Sequence, residues 1–202
     1  LIRNEQLNDA KKEFKRLVKA YPKDLDLMLS LALICYESEQ TACAIDYLEK
    51  LADPEQTAHP NYRNRALTYL GEIAEKEKRH DQAIAHYQKV SQGPLYMAAQ
   101  TQIALVYSRQ GQTGRAIQRL SELRLQLPEK ATQFYLAESQ ILMDANRFED
   151  THQLLSEALV DHPNHPNLLY SRAMAAEKLE KLEARHLDEP NIAIDKIYIT
   201  YP

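Results

Sequence analysis

Apolar residues recur at helical spacing along most of the chain, and small residues mark a pattern that appears five times. In every copy a leucine or an aromatic residue follows the small residue four positions later, and in four of the five a proline comes near the end of the segment. The small residues are Ala10, Ala44, Ala83, Ala116 and Thr151, separated by steps of 34, 39, 33 and 35 residues. A period of this size indicates one supersecondary unit copied in tandem, each copy too small to bury its own apolar face.

Each small residue lies on the second of two predicted helices. A further segment of helical periodicity precedes it, and in the third copy Gly71 stands twelve residues ahead of Ala83. Two helix axes come as close as about 8 Å only where the side chains at the crossing are small. We therefore expect small residues to face each other inside the repeats: Ala32 and Ala44, Gly71 and Ala83, Ala104 and Ala116, Ser139 and Thr151.

This spacing resembles the tetratricopeptide repeat (TPR), a helix-turn-helix of about 34 residues with the pattern W-x-x-L-G-x-x-Y…A-x-x-x-F…P. The resemblance extends over residues 1–179, although other residues replace the tryptophan in every copy. It implies an all-α fold, a right-handed superhelical solenoid of helix-turn-helix repeats. We predict a truncated first repeat at 1–24, a TPR array of about five repeats at 25–189 with the last incomplete, and a non-repeat extended tail at 190–202.

Three segments depart from the repeat. Residues 1–21 predict the last turn of one helix followed by a complete second helix. Residues 53–60 add five residues to the usual step and contain two prolines, which predicts a surface loop or a prolonged helix end. Residues 191–201 are rich in β-branched and aromatic residues, which helical repeats are not. A flexible tail, a sequence unrelated to the repeats and an extended arm that docks in a groove are the alternatives for that segment.

Composition excludes several classes of function. The chain is 44% hydrophobic and 27% charged, with 4 glycines and a net charge of -4. Lysine and arginine alternate with acidic residues, so no basic face for nucleic acid is expected. No apolar run approaches the roughly 18 to 20 residues that span a bilayer, so we predict no transmembrane segment. Because Leu1 is not an initiator methionine, we expect a fragment whose missing beginning could have carried a targeting signal.

The chain carries no motif of a known catalytic or phosphate-binding site, so we predict no enzyme activity, no cofactor and no metal. His162 and His165 are more typical of a polar turn than of a zinc site, which needs three or four protein ligands. We interpret Cys35 and Cys43 as small packing residues on successive helices. The alternative is a disulfide between those helices, which would imply an oxidising compartment.

The resemblance to TPR proteins also implies a binding groove. In that family five positions of each first helix point into the concave side, and their residues here are a mixture of apolar, aromatic and charged. Such a lining indicates a protein or peptide partner. The predicted peptide-binding residues are Leu29, Leu33, Tyr36, Glu72, Leu105, Arg109, Leu136, Gln140, Met143, Tyr170 and Met174.

One ligand class of the family is disfavoured. Some relatives hold a terminal carboxylate with a lysine and asparagine clamp at the fifth and ninth positions of a first helix. The third repeat has Thr68 and Glu72 at those positions, and the other repeats also lack the clamp. An acidic C-terminal tail is therefore a poor candidate ligand.

Residues 69–74 and 168–177 resemble repeats of bacterial TPR proteins, some of which are envelope lipoproteins that present substrates to a carboxyl-terminal processing protease. We therefore predict a non-catalytic scaffold or adaptor that binds a peptide or protein segment. Its setting would be that of a periplasmic or outer-membrane lipoprotein if this narrower resemblance holds, and cytoplasmic otherwise. The alternative is a self-assembling TPR module, a homo-oligomer formed through the truncated first repeat or the tail.

Overall fold

The computed structural model describes residues 2–188, with side chains described for residues 7–182 and Ala184. Within that range every regular element is helical, and a short 3-10 turn at Pro128–Lys130 accompanies the α-helices. The all-α fold predicted from the repeat is confirmed. The helices are α1 Ile2–Ala20, α2 Leu25–Glu37, α3 Thr41–Ala52, α4 Pro60–Lys76, α5 His80–Gln88, α6 Tyr96–Arg109, α7 Thr113–Gln126, α8 Ala131–Asp144, α9 Phe148–Asp161 and α10 Pro166–Asp188.

The helices form two compact units, Leu1–Ala116 and Ile117–Pro202, and the boundary falls within α7. In the first unit each helix from α1 to α6 packs against the next, and α4 also touches both α2 and α6. Its interior contains fully buried residues such as Leu31, Leu48 and Ile103. In the second unit α9 packs against α8 and α10, and α8 touches α10. The buried side chains there include Phe134 and Leu155.

The two helices of four successive repeats are joined by the same turn. A residue in the left-handed region follows the first helix, and the next amide donates a hydrogen bond to a carbonyl five residues back. This pairing satisfies carbonyls at the helix end. Glycine occupies the left-handed position once, so the turn tolerates other residues. The left-handed residues are Glu39, Lys78, Gly111 and Asn146, and the bonds run from Gln40 to Cys35, Arg79 to Ala74, Gln112 to Tyr107 and Arg147 to Leu142.

The small residues expected at the helix crossings are buried. Ala32, Ala44, Ala83, Ala104 and Ala116 are all 0% exposed. A Cβ atom added to Gly71 would lie 2.4 Å from Cε1 of Tyr87, on the helix that pairs with α4. The ring of Tyr87 thus occupies the space that glycine leaves. The close approach of the Tyr87 ring explains why position 71 holds a residue without a side chain.

Two of the segments that were expected to depart from the repeat lie in the part of the chain that the structure describes. The prediction of a helix break within residues 1–21 is wrong, because α1 runs continuously from Ile2 to Ala20. The inserted segment 53–59 is a loop between α3 and α4, as expected. Thr57 in that loop is 1% exposed, and its hydroxyl donates to the carbonyl of Lys50 at 3.3 Å. The predictions for residues 190–202 lie outside the described residues.

Cys35 and Cys43 form a disulfide bond between α2 and α3. The interpretation of these cysteines as separate packing residues is therefore wrong. Only residues 38–40 separate the two helices, and the hairpin brings the two Cα atoms to 5.7 Å, within the usual range for a bridge. Cys35 is 0% exposed, so the bond lies in the interior of the hairpin.

Candidate functional site

The predicted binding residues of the first unit lie on α2, α4 and α6. We call the surface formed by Leu33, Tyr36, Glu72, Leu105 and Arg109 the α2–α4–α6 face. Arg109 is exposed, and the other four are half-buried. The buried residues of the same helices supply the core of the unit, and Leu33 and Tyr36 pack at the edge of that core.

Leu29 does not belong to this face. It was expected in the groove, but it is 3% exposed and lies in the hydrophobic core beside Leu31. α2 is covered by α1, α3 and α4, so more of its surface is buried than the family pattern implies. A partner cannot reach this side chain without displacing core residues.

Tyr36 is held in one position by three neighbours on α4. Its hydroxyl donates to Oε2 of Glu72 at 3.1 Å, and its ring meets the ring of Tyr69 edge to face at 5.3 Å. Nζ of Lys76 donates to the Tyr36 hydroxyl at 2.6 Å and lies 4.1 Å from the ring centroid, a cation–π geometry. The hydrogen bond to Tyr36 raises the pKa of Lys76 above its usual value. These contacts join α2 to α4.

A second cluster joins α4 to α6. Glu75 on α4 forms an ion pair with Arg109 on α6 through Oε2 and accepts a hydrogen bond from the Tyr87 hydroxyl at 2.6 Å through Oε1. Burial raises the pKa of Tyr87, so this phenol remains a donor throughout the physiological range. Both carboxylate oxygens of Glu75 are therefore occupied.

Side-chain contacts thus link the first helices of consecutive repeats. Tyr36 on α2 contacts α4, and Arg109 on α6 also contacts α4. At the other end of these helices the Tyr62 hydroxyl donates to Oδ1 of Asp26 at 2.7 Å. Side chains ordered in this way lose little further freedom when a partner binds. The half-buried Leu33 and Leu105 add apolar surface to the face.

The second unit carries a separate predicted surface on α8 and α10, formed by Leu136, Gln140, Met143, Tyr170 and Met174. Tyr170 is 68% exposed, and Gln140 donates to Asp144 at 2.8 Å on its own helix. Leu136 packs partly against the core around Leu155. We call this surface the α8–α10 face.

The comparisons with known proteins agree with this architecture. A family model described as tetratricopeptide repeat matches residues 1–62 and 136–184, more than half of the chain, and another of the same description matches residues 65–92. The chain belongs to the tetratricopeptide repeat family. A TPR repeat-containing protein of Pseudomonas aeruginosa is 35% identical over 119 residues, which are 59% of this chain and 20% of that protein. This TPR chain therefore spans about a fifth of the curated relative that it matches.

Solved structures share the TPR fold at low sequence identity. A tetratricopeptide repeat protein of Parabacteroides merdae aligns with a TM-score of 0.63 at 14% identity, over 93% of this chain and 72% of that chain. The crystal structure of MamA aligns with a TM-score of 0.55 at 18% identity, over 88% of this chain and 91% of that chain. At these identities the likeness shows the fold alone.

A buried ion pair in the second unit of this TPR chain was missed by the sequence analysis. Glu138 on α8 is 4% exposed, and its Oε2 accepts a hydrogen bond from Arg124 on α7 at 2.7 Å. Burial raises the pKa of Glu138, and Arg124 opposes that shift. The guanidinium of Arg124 also lies 4.1 Å from the ring centroid of Tyr135. The available signal was an acidic residue at an otherwise apolar position of α8, directly before the buried Ser139.

Neither a metal position nor a membrane-spanning helix is found in the part of the chain that the structure describes. Among the residues that the structure describes, no three histidine, cysteine, aspartate or glutamate side chains converge on a metal position. His165 instead uses Nδ1 to accept a hydrogen bond from the Leu168 amide at 3.4 Å. None of the helices within residues 2–188 has the length and apolar character required to cross a bilayer.

Proposed function

We propose that this TPR chain is a non-catalytic scaffold or adaptor that binds a segment of another protein on the α2–α4–α6 face. The TPR fold is that of a protein–protein interaction scaffold. The observation that carries the proposal is the partial exposure of Leu33, Tyr36 and Leu105 on helices whose buried residues form the core.

The chemistry of the face favours a polypeptide ligand. Leucine and tyrosine surface supplies the apolar area that drives association, and Glu72, Lys76 and Arg109 present charges beside it. The ordered Tyr36 is the type of residue that dominates binding energy at protein interfaces. An amphipathic helix or an extended segment satisfies both parts of this surface.

A substitution with a matched control tests the face. A photo-crosslinking residue at position 105 of the full chain identifies the bound polypeptide, which is then titrated against purified variants. Leu105→Ala should weaken binding about ten-fold, equivalent to about 1.4 kcal/mol. The control Leu125→Ala removes a leucine that is 84% exposed at the end of α7 and should leave the affinity unchanged. Equal affinities for the wild type and Leu105→Ala would place the site elsewhere.

We propose the α8–α10 face as a separate contact surface, supported by the 68% exposure of Tyr170. Tyr170→Ala should lower affinity for a partner that uses the second unit. Tyr21→Ala is the matched control, since Tyr21 is 62% exposed beyond the end of α1. A loss of affinity in both variants would indicate a nonspecific effect of removing an exposed tyrosine.

We propose a bacterial envelope setting for this adaptor, consistent with the resemblance of its repeats to those of envelope lipoproteins. The disulfide between Cys35 and Cys43 supports the proposal, because such bonds persist in oxidising compartments. Alkylation of the chain inside intact cells tests it. Thiols protected from alkylation until reductant is added would support the envelope setting, and freely alkylated thiols would contradict it.

Self-assembly is the second candidate function. The exposed apolar surface of α10 favours it: Leu169 is 38% exposed and Ala173 is exposed. Light scattering over a concentration series separates the candidates. A mass that rises with concentration and returns to that of one chain in Leu169→Lys would favour assembly through this surface.

A further inference from the structure

A pocket of about 460 Å³ lies at the N-terminal ends of α4 and α6 in the first unit. It is an open depression in the surface, and its volume is in the range of ligand sites. The lining is mostly apolar. We call it the Leu95 pocket, and it is lined by Asn61, Tyr62, Asn64, Arg65, Pro94 and Leu95.

Asn64 fixes one wall of the Leu95 pocket. Its side chain is 3% exposed; Nδ2 donates to the Ser91 carbonyl, and Oδ1 accepts from the Ser91 amide and hydroxyl, each at 3.0 Å. Ser91 begins the loop that carries Pro94 and Leu95, and Gly93 in that loop has a φ of 149°, which disfavours other residues. The loop is therefore tied to α4, and the pocket exists before any ligand arrives.

Tyr62 fixes a second wall. Its hydroxyl donates to Oδ1 of Asp26 at 2.7 Å, and this hydrogen bond raises the pKa of Tyr62. A residue of α2 thus fixes the hydroxyl of Tyr62, and Tyr62 forms part of the pocket lining. Both walls are set by contacts that leave the apolar surface of the pocket free.

Arg65 supplies an exposed positive charge at this pocket. It is exposed on α4, one turn after Asn61, and no carboxylate forms an ion pair with it among the side chains that the structure describes. Two carboxylates of α2 and its N-cap lie in the same neighbourhood and keep their charge: Asp26 accepts a hydrogen bond from Tyr62, and Asp24 accepts one from the Leu27 amide. A guanidinium in this position matches the geometry of a carboxylate.

We propose that the Leu95 pocket binds an apolar side chain of the partner polypeptide and that Arg65 binds the carboxylate of the acidic residue next to it. A free anion would leave the apolar lining unfilled, and Arg65 is the charged residue among those that line the pocket, so an acidic neighbour is the one that it can pair with. The inference rests on the proposed function, since it names the chemistry that the adaptor recognises in its polypeptide. It adds sequence preference: an apolar residue with an aspartate or glutamate beside it inside the segment.

Two capped dipeptides test the pocket without the natural partner. The probes are N-acetyl-leucyl-aspartyl-amide and its isosteric twin N-acetyl-leucyl-asparaginyl-amide, titrated into the full chain with ¹³C-labelled leucine methyl groups. The Leu95 methyl signals should shift for both probes, with saturation at about two- to five-fold lower concentration for the aspartyl probe, as expected for an exposed ion pair. Arg65→Gln should abolish that difference and retain the shift. Lys12→Gln, which removes an exposed charge on α1, should leave the difference intact.

Several results would overturn the inference. If neither probe shifted the Leu95 methyl signals, the pocket would take no apolar side chain. If both probes saturated the wild type at the same concentration, Arg65 would have no role in binding. These failures are distinct from failure of the adaptor function, which is measured with the natural partner and Leu105→Ala. If Leu105→Ala weakened partner binding but neither probe shifted the Leu95 signals, the adaptor function would stand and the proposed role of the pocket would be rejected.

Discussion

Gly71→Ala is the sharpest test of how the repeats pack. The added Cβ would lie 2.4, 2.6 and 2.8 Å from Cε1, Cζ and Cδ1 of Tyr87. Carbon atoms at rest are about 3.5 to 4.0 Å apart, so the ring would have to move by about 1 Å. Tyr87 is 0% exposed, and its hydroxyl is bound to Glu75 at 2.6 Å, so there is no free direction for that movement.

The free energy of unfolding should fall by about 2 to 4 kcal/mol in Gly71→Ala. Overpacking of a core costs about 1 to 3 kcal/mol. Displacing the Tyr87 hydroxyl from Glu75 weakens a hydrogen bond to a charged group, worth about 1.5 to 3 kcal/mol. Replacing glycine by alanine inside a helix adds about 1 kcal/mol of stability, because alanine has the higher helix propensity. The steric terms exceed the gain in propensity, so the sign of the net effect is decided by Tyr87.

Urea unfolding followed by far-ultraviolet circular dichroism measures this loss. Gly114→Ala is the matched control, because its added Cβ meets no atom within 4 Å and the residue lies in helix α7. That variant should be as stable as the wild type or up to about 1 kcal/mol more stable. In Gly71→Ala combined with Tyr87→Leu, the losses should be less than additive, because the leucine removes the clashing ring. An unchanged midpoint for Gly71→Ala would refute the packing account.

Three further predictions concern other parts of the chain. Ala116→Leu should lower stability by about 1 to 3 kcal/mol in a thermal melt, because Ala116 is 0% exposed and the site has no room for a larger side chain. Reduction of the disulfide between Cys35 and Cys43 should cost about 2 to 3 kcal/mol for so short a loop, measured by urea unfolding with and without reductant; identical curves, with the bond verified by thiol titration, would contradict this estimate. Arg124→Ala should cost about 3 to 5 kcal/mol at neutral pH, because it leaves the buried carboxylate of Glu138 uncompensated. The loss should shrink as the pH falls, because the pKa of Glu138 is raised by burial and protonation removes the charge; a loss that grew towards acid pH would contradict that sign.

Local patterns predicted the helices because the signals that they use act over three or four residues. The spacing of Ala83 and Ala116 and the small residue at position 71 placed the helix pairs and the crossings that the structure shows. The inserted loop after Ala52 was visible from its prolines. The helix break expected within residues 1–21 was wrong, since the apolar spacing there is compatible with one continuous helix.

The candidate site could be predicted only in part. Family positions selected Tyr36, Glu72 and Arg109, all of which lie on one side of the first unit. The same positions also selected Leu29, which the core includes, because burial depends on how closely α1, α3 and α4 surround α2. The Leu95 pocket depends on the bond between Asn64 and a loop 27 residues later, which no local pattern contains.

The sequence alone determined that this chain is a tandem array of helical hairpins of the TPR family, because helix formation and turn chemistry are encoded by neighbours along the chain. Tertiary structure decided the disulfide, the pairing of Arg124 with Glu138 and the Tyr36–Lys76 contact, whose partners are 8, 14 and 40 residues apart. Contacts at such separations depend on how hairpins pack, and packing depends on the volume of every side chain at the crossing rather than on the period of the pattern.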